Sequence, residues 1–325
     1  MKKLEKGLLA LLLLAGMSGC TKKEAPSQET VKNKTRVCVS INREDAKAET
    51  LVEIELKAAF AELADTLPTE LSFYNVSNDQ AAQHTAVDKM LGEGCSAILL
   101  ELVDAASAQA VTEKVQTSSI PLIYIENEPS EDVLTAYAGK STYIGADKEK
   151  NYVLQGEIIA DLANHGNING DDVVSAVILS ASDISEETQN ALMSAIAAKG
   201  VRTEILEAAI SENIREKGKE AAARLLTRYG DMIDVFYAEN EALALGASDA
   251  IEAAGRDNGV NIYLICGEDG QTVRYFINDE KITGSVWDDI EARAQAAAEN
   301  TVKVLKGETL GLRTLIANKK TMKDQ

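Results

Sequence analysis

Apolar and polar positions alternate along this chain in two ways. There are short unbroken apolar runs, and longer stretches whose apolar residues recur three and four positions apart. Runs such as Val37-Cys38-Val39-Ser40-Ile41 and Ala97-Ile98-Leu99-Leu100 suit strands buried on both faces. The longer stretches suit helices with one buried face. From residue 36 the pattern predicts a strand at 37–41, a helix over 46–67, a strand at 71–74 and a helix over 79–91. A strand at 97–102, a helix over 105–117 and a strand at 121–125 complete the first series. The second series has helices over 148–163, 186–199, 212–228 and 242–254, with strands at 173–179, 203–206, 235–237 and 262–266. Strands separated by whole helices need crossover connections, which make parallel sheets. Two series predict an α/β chain of two doubly wound parallel-sheet lobes joined by a multi-strand hinge. Ligands of such sheets bind beyond the carboxyl ends of the strands, so two facing lobes enclose a cleft.

The N-terminus follows different rules. Lys2, Lys3 and Lys6 precede an apolar run over 8–15, which Gly16-Met17-Ser18-Gly19-Cys20 closes. A charged start, a short apolar core and a small-residue end form a secretory signal, and the run is far short of the ~20 residues that span a bilayer. Small residues before a cysteine resemble a bacterial lipobox, with Met17 where that pattern usually has leucine. The resemblance implies that 1–20 is a lipoprotein signal peptide and that Cys20 is lipidated. The polar stretch 21–34 reads as a flexible tether. The expected product is exported and membrane-anchored, in the periplasm or on the outer face of the cell membrane, which excludes cytoplasmic enzymes and repressors.

Of 325 residues 45% are hydrophobic, enough for two cores, and the net charge is −19. So acidic a surface repels nucleic acid. Cys38, Cys95 and Cys266 each lie in or beside an apolar segment. Their odd number and the lack of CxxC spacing argue against a disulfide framework or a zinc site and predict buried, inert thiols.

Ordered motifs carry a resemblance. Ser77-Asn78-Asp79-Gln80, Leu102-Val103-Asp104, Ile120-Pro121-Leu122 and Asn127-Glu128-Pro129-Ser130 come in turn. Tyr143-Ile144-Gly145-Ala146-Asp147 then leads to Gln155-Gly156, and the segment from Glu239 to Gly246 (ENEALALG) closes the series. Over roughly residues 36–318 the chain resembles the type I periplasmic sugar-binding proteins of ABC transporters, above all the galactose/glucose-binding branch. The resemblance implies a non-enzymatic, monomeric binder that closes on a small solute and serves an ABC permease and ATPase. It implies a first lobe of 35–122 plus 288–325 and a second of 123–287. Hinge crossings are expected near 121–126, near 287–288 and near the C-terminus, where the chain stops short of the final strand of its relatives.

It also implies ligand-binding residues: Asp45 and Glu101 in the first lobe, Asp183, Asn240 and Asp269 in the second, and Asp288 at the hinge. Glu101 and Asp288 stand where galactose binders have asparagine, and Thr188 where they have arginine. Ala48 and Ser211 replace stacking rings, leaving Trp287 as a ring from another direction or a hinge packing residue. A pocket of Glu101, Asp183, Asp269 and Asp288 without a matched arginine suits either a sugar of altered specificity or a cationic, amine-bearing solute. A sensor subunit that signals to a membrane receptor is the further alternative.

The segment from Asn167 to Ser175 (NINGDDVVS) lies where galactose binders carry an EF-hand-like loop. Asn167, Asn169, Asp171, the Val173 carbonyl and Ser175, with distant Asp234, would supply oxygens to a weakly held calcium; a polar turn before a strand explains the same residues. His84 and His165 fall in different lobes, and no GxSxG, HExxH, phosphate-cradling or nucleophilic-cysteine motif occurs.

Overall fold

The computed structural model describes residues 34–43, 49–268 and 270–323. Cys20, Asp45, Ala48 and Asp269, with the signal and tether segments, lie outside the described residues. The first sheet has six strands in the order β11-β5-β4-β3-β1-β2. Its members are β1 (Thr35–Ile41), β2 (Thr69–Asn75), β3 (Ala97–Glu101), β4 (Leu122–Ile125), β5 (Ser141–Ala146) and β11 (Arg313–Ile316). The second sheet runs β12-β10-β9-β8-β6-β7. It comprises β6 (Val173–Ser180), β7 (Arg202–Ile210), β8 (Val235–Ala238), β9 (Tyr263–Cys266), β10 (Gly284–Trp287) and β12 (Lys319–Met322). All pairings are parallel except that of β12 with β10.

Helices cover both faces. The first lobe carries α1 (Leu51–Glu62), α2 (Gln80–Gly92), α3 (Ala108–Thr117), α4 (Glu131–Ala136) and α10 (Ile290–Leu305), and the second α5 (Lys148–Ala160), α6 (Glu186–Ala197), α7 (Arg215–Tyr229), α8 (Glu241–Ala253) and α9 (Gln271–Asn278). Each lobe has two apolar cores, one on either face of its sheet. Every side chain of β4 is buried, which is why that strand reads as an unbroken apolar run.

The predicted α/β architecture stands, and three expectations are corrected. The first crossing follows β5, because β4 and β5 pair with β3 in the first sheet and α5 packs on β10 and β12. The boundary predicted between 122 and 123 therefore moves to about residue 147. The C-terminal strand expected to be missing is present: after β11 the chain crosses and β12 pairs antiparallel with β10. The crossing at 287–288 is as expected, since β10 ends the second lobe's run and α10 packs on α1 in the first. Third, Cys38 and Cys95 form a disulfide, while Cys266 is buried in the second lobe, apart from that bridge. Cys95 lies just ahead of β3, and β3 pairs with β1, which carries Cys38; this proximity comes from sheet order.

Local signals set the boundaries. The predicted helix 46–67 starts only at Leu51, where Thr50 and Glu53 form a capping box. Strand β7 runs longer than the predicted 203–206, with a bulge opposite Ala176 and Val177 in its pairing with β6.

Candidate functional site

Polar residues gather at the carboxyl ends of the strands, where helix N-termini also converge. Asp79, Asp147, Ser185, Asn240 and Asp289 cap α2, α5, α6, α8 and α10 with their side chains. The first lobe's wall is tightly cross-linked. Glu101, at the end of β3, accepts from the Asn42 backbone N–H at 3.0 Å and from Asn42 Nδ2 at 3.2 Å. Gln83 Nε2 donates to the Glu101 carbonyl at 2.6 Å, and Gln83 Oε1 accepts from Val103 N at 3.2 Å. Asn127 Nδ2 donates to the Leu102 carbonyl at 2.7 Å. Burial pushes the Glu101 carboxyl above the usual carboxylate range, and its Asn42 bonds pull partly the other way.

Beside it lies an ion cluster that the sequence did not disclose. Arg293 of α10 is 7% exposed and places Nη2 2.8 Å from Glu126 Oε1 and 2.7 Å from Asp288 Oδ2. The expectation of a pocket without an arginine is thereby corrected. Glu126 adopts φ 66°, and its carbonyl accepts from the Tyr143 hydroxyl at 3.0 Å. Left-handed backbone at a non-glycine residue is strained and is held by such surrounding bonds. Tyr143 is the neighbour that Gly145 accommodates: a Cβ at 145 would collide with its ring and hydroxyl. Burial pushes Tyr143 up to about 12 and raises Asp288 as well. No signal in the sequence singles out Arg293, one charged residue in an alanine-rich helix.

The hinge is pinned alongside. Lys319 of β12 lies 2.7 Å from Asp289 Oδ2, and its ammonium stands 5.2 Å from the Trp287 ring, with Arg274 5.4 Å away. Trp287 is therefore half-buried beside two cations at the hinge.

The second lobe's wall is built from loop and cap contacts. Asn240 is buried, and its side-chain oxygen accepts from Leu243 N at 3.0 Å as the α8 cap. Asp183 is exposed in the loop from β6 to α6. Thr188 serves the α6 cap with Ser185, and the buried Ser211 donates its backbone N–H to the Ser180 carbonyl at 2.8 Å. Glu239 accepts from Ala181 N at 2.6 Å and Glu268 from Glu241 N at 3.1 Å, tying neighbouring strand ends together. A Cβ on Gly267 would collide with the Glu239 carbonyl. Glu126 and Asp288 thus meet around Arg293, and Glu101 is bonded to Asn42 close by, while Asn240 and Asp183 lie on the opposite lobe.

The calcium-type loop lies at the other end of the second sheet. Asn167 Oδ1 accepts from Gly170 N at 2.9 Å, Asn169 Oδ1 from Asp171 N at 3.0 Å, and Asp171 Oδ1 from Val173 N at 2.9 Å. Asp172 takes φ 66°, a left-handed turn at a non-glycine residue. Asp234 is fully buried; its Oδ2 accepts from Ser175 N at 2.8 Å, and its Oδ1 has no partner in hydrogen-bonding geometry among the described residues, although the Asn169 and Ile168 backbone N–H groups stand close enough to favour its charged form. That orphaned oxygen fits a cation. The Ser175 hydroxyl does not, because it donates to Glu204 at 2.6 Å. Among the described residues no three His, Cys, Asp or Glu side chains group as a metal cluster, so this donor set depends on amide and carbonyl oxygens.

Two α/β lobes, three crossings and a polar cleft at the strand ends define a hinged solute-binding protein. The chain belongs to the periplasmic binding protein domain family, which matches residues 46–309. It is 27% identical over 187 residues to the D-galactose/methyl-galactoside binding periplasmic protein of Haemophilus influenzae, covering 55% of this chain and 56% of that protein. The chain thus aligns with just over half of that relative's length. With the D-ribose/D-allose-binding protein of Pseudomonas aeruginosa it shares 24% identity over 303 residues, 93% of this chain and 92% of that one. The fold matches the periplasmic ribose ABC transporter structure from Conexibacter woesei with a TM-score of 0.68 at 18% identity, covering 88% of this chain and 91% of that chain. These relatives are binding proteins, in keeping with a binder and not an enzyme. No helix among the described residues is long and apolar enough to cross a membrane.

Proposed function

We propose that this chain is the extracytoplasmic, sugar-binding component of an ABC transporter, handing a small neutral sugar to a permease driven by an ATPase. The observation that carries this reading is the cleft rim. Amide and carboxylate side chains (Asn42, Glu101, Asn127, Asn240, Asp288) stand at the strand ends of the two lobes and are fixed by bonds to one another, to nearby backbone or to Arg293. Such preset donors and acceptors suit hydroxyl-rich solutes. Asp45 and Asp269 extend the proposed contact set, with Asp183 at the rim. A ligand touching both lobes favours the closed state by its greater affinity for it. Calorimetry with D-galactose, D-ribose, D-allose and myo-inositol, paired with small-angle scattering, tests this. Binding with compaction is expected, and Asp269→Ala should lose about 1–3 kcal/mol of it by leaving polar groups unpaired. No binding and no compaction with any of the four would overturn it.

The lipobox-like end at Cys20 supports a lipid anchor. Cys20→Ser should abolish acyl labelling and membrane retention, and continued membrane fractionation would refute the anchor. The orphaned Asp234 Oδ1 supports a weak structural calcium held with Asn167, Asn169, Asp171 and the Val173 carbonyl, which would join the loop to β6 and β8 electrostatically.

A further inference from the structure

Asparagine followed by glycine occurs twice in this chain, at Asn169-Gly170 and at Asn258-Gly259. Such a pair is chemically unstable where the backbone is open. Glycine has no Cβ to shield its amide nitrogen, so that nitrogen can reach the side-chain carbonyl carbon of the asparagine before it. Both glycines are left-handed, with φ 78° at Gly170 and 77° at Gly259, and at neither would a Cβ meet an atom within 4 Å. Crowding therefore does not separate the two pairs. What separates them is how each asparagine is held.

Asn258 is fixed from three sides. Its Oδ1 accepts from Leu264 N at 2.9 Å and from the Thr283 hydroxyl at 2.7 Å, and its Nδ2 donates to the Glu280 carbonyl at 2.9 Å. Leu264 belongs to β9, and Thr283 directly precedes β10, so moving this amide breaks contacts with the sheet. Asn169 and Gly170 are exposed. The Asn169 amide is bonded to Asp171, two residues along the same turn: Oδ1 accepts from Asp171 N at 3.0 Å, and Nδ2 lies 3.3 Å from Asp171 Oδ2. The N–H bond to Oδ1 also draws electrons from the carbon that would be attacked.

We infer that Asn169 is a spontaneous modification site, where an amide becomes a carboxylate without an enzyme, and that Asn258 is shielded from the same reaction. The Gly170 nitrogen bonds to Asn169 Cγ, the Cγ–Nδ2 bond breaks, and ammonia leaves with the proton that the Gly170 nitrogen gives up. The resulting succinimide takes up one water. Opening on the Cγ side gives aspartate, and opening on the backbone-carbonyl side gives isoaspartate, whose chain runs through Cγ. One water enters, one ammonia leaves, and nothing is oxidised or reduced. Either product adds a negative charge to the loop. Its consequence for the loop rests on the calcium reading above. Aspartate at 169 raises the charge of the proposed donor set, on which calcium affinity depends, whereas isoaspartate lengthens the backbone there and upsets its spacing.

Peptide mapping by mass spectrometry tests this on the full chain, held at mildly alkaline pH and sampled over days. In the native protein the peptide with Asn169 should gain one mass unit and split into aspartate and isoaspartate forms. It should react at least about tenfold faster than the peptide with Asn258, since releasing even one of the Asn258 bonds costs about that factor. In urea both pairs should react at similar rates. Asn169→Gln, which cannot close the five-membered ring, should abolish conversion there and leave Asn258 as before. Equal native rates at the two pairs, or an Asn169 that stays intact in the native protein while reacting in urea, would overturn the site. Asn169→Asp should move the calcium-dependent rise in melting temperature to lower calcium. A response at the same calcium concentration in both proteins would overturn the consequence drawn for the loop. No calcium response in either would end the calcium reading and leave the modification site standing on the mass spectra.

Discussion

The two lobes solve the same structural problem at matching places in different ways. In each sheet the first strand of the lobe pairs with the third, β1 with β3 and β6 with β8. In the first lobe that seam is closed covalently: Cys95, ahead of β3, is bonded to Cys38 in β1. In the second, Asp234, ahead of β8, accepts from the Ser175 backbone N–H in β6, and its other oxygen has no partner in hydrogen-bonding geometry among the described residues. A disulfide ignores pH and ions, whereas a buried carboxylate depends on both. The chain therefore joins a fixed half to a half whose seam answers to solution conditions.

Breaking the covalent seam should have the largest effect. The bridge spans a sequence separation of 57 residues, so Cys95→Ser should cost the first lobe about 4 kcal/mol on the loop-entropy view. Hydrogen exchange should show lost protection in the peptide 97–101 and little change in 173–180. Equal loss in both lobes would mean that the seams are not independent. Removing the second seam should cost less: Asp234→Ala leaves the Ser175 N–H unpaired, worth about 1–3 kcal/mol, with the peptide pattern reversed.

Calcium comes next in size. At ten times its dissociation constant it should stabilise the second lobe alone by about 1.4 kcal/mol, and Asp171→Ala should remove the response. An unchanged melting temperature in millimolar calcium would retire the loop as a metal site. The smallest effect is that of pH. Burial raises the Asp234 carboxyl, and the raised value is that of the folded state. Its stabilising contribution is therefore complete below the ordinary carboxylate range, about 3.9, and is lost as pH rises through the elevated value. In chelator, protection of 173–180 should fall as pH rises above about 4 in the parent and stay flatter in Asp234→Asn. The same slope in both proteins would remove Asp234 as its source.

Much of the fold was legible because buried parallel strands write themselves as apolar runs. The strand at 97–102 and the helix over 79–91 fall within a residue or two of β3 and α2. Helix α10 was not read from the pattern, since only Val302 and Val304 of its buried residues are large and apolar, and Arg293, Asn300 and Thr301 are buried beside three alanines. Strand β12, Lys-Lys-Thr-Met, has no strand-like pattern and exists through its pairing with β10. The site was legible only in part. Glu101 and Asp288 sit beyond strand ends as expected, whereas the Arg293 partnership, the disulfide and the place of the first crossing depend on which distant segments become neighbours.

The last two strands set the order in which the molecule can be finished. β11 forms the edge of one sheet beside β5, and β12 the edge of the other beside β10. A chain delivered N-terminus first therefore holds two incomplete sheets until residues 313–322 arrive. Until then β5 and β10 present open edges, the templates from which misassociation starts. Both lobes mature together once these strands arrive, and a chain ending at residue 312 should be protease-sensitive in both halves, where a loss confined to one lobe would separate their assembly.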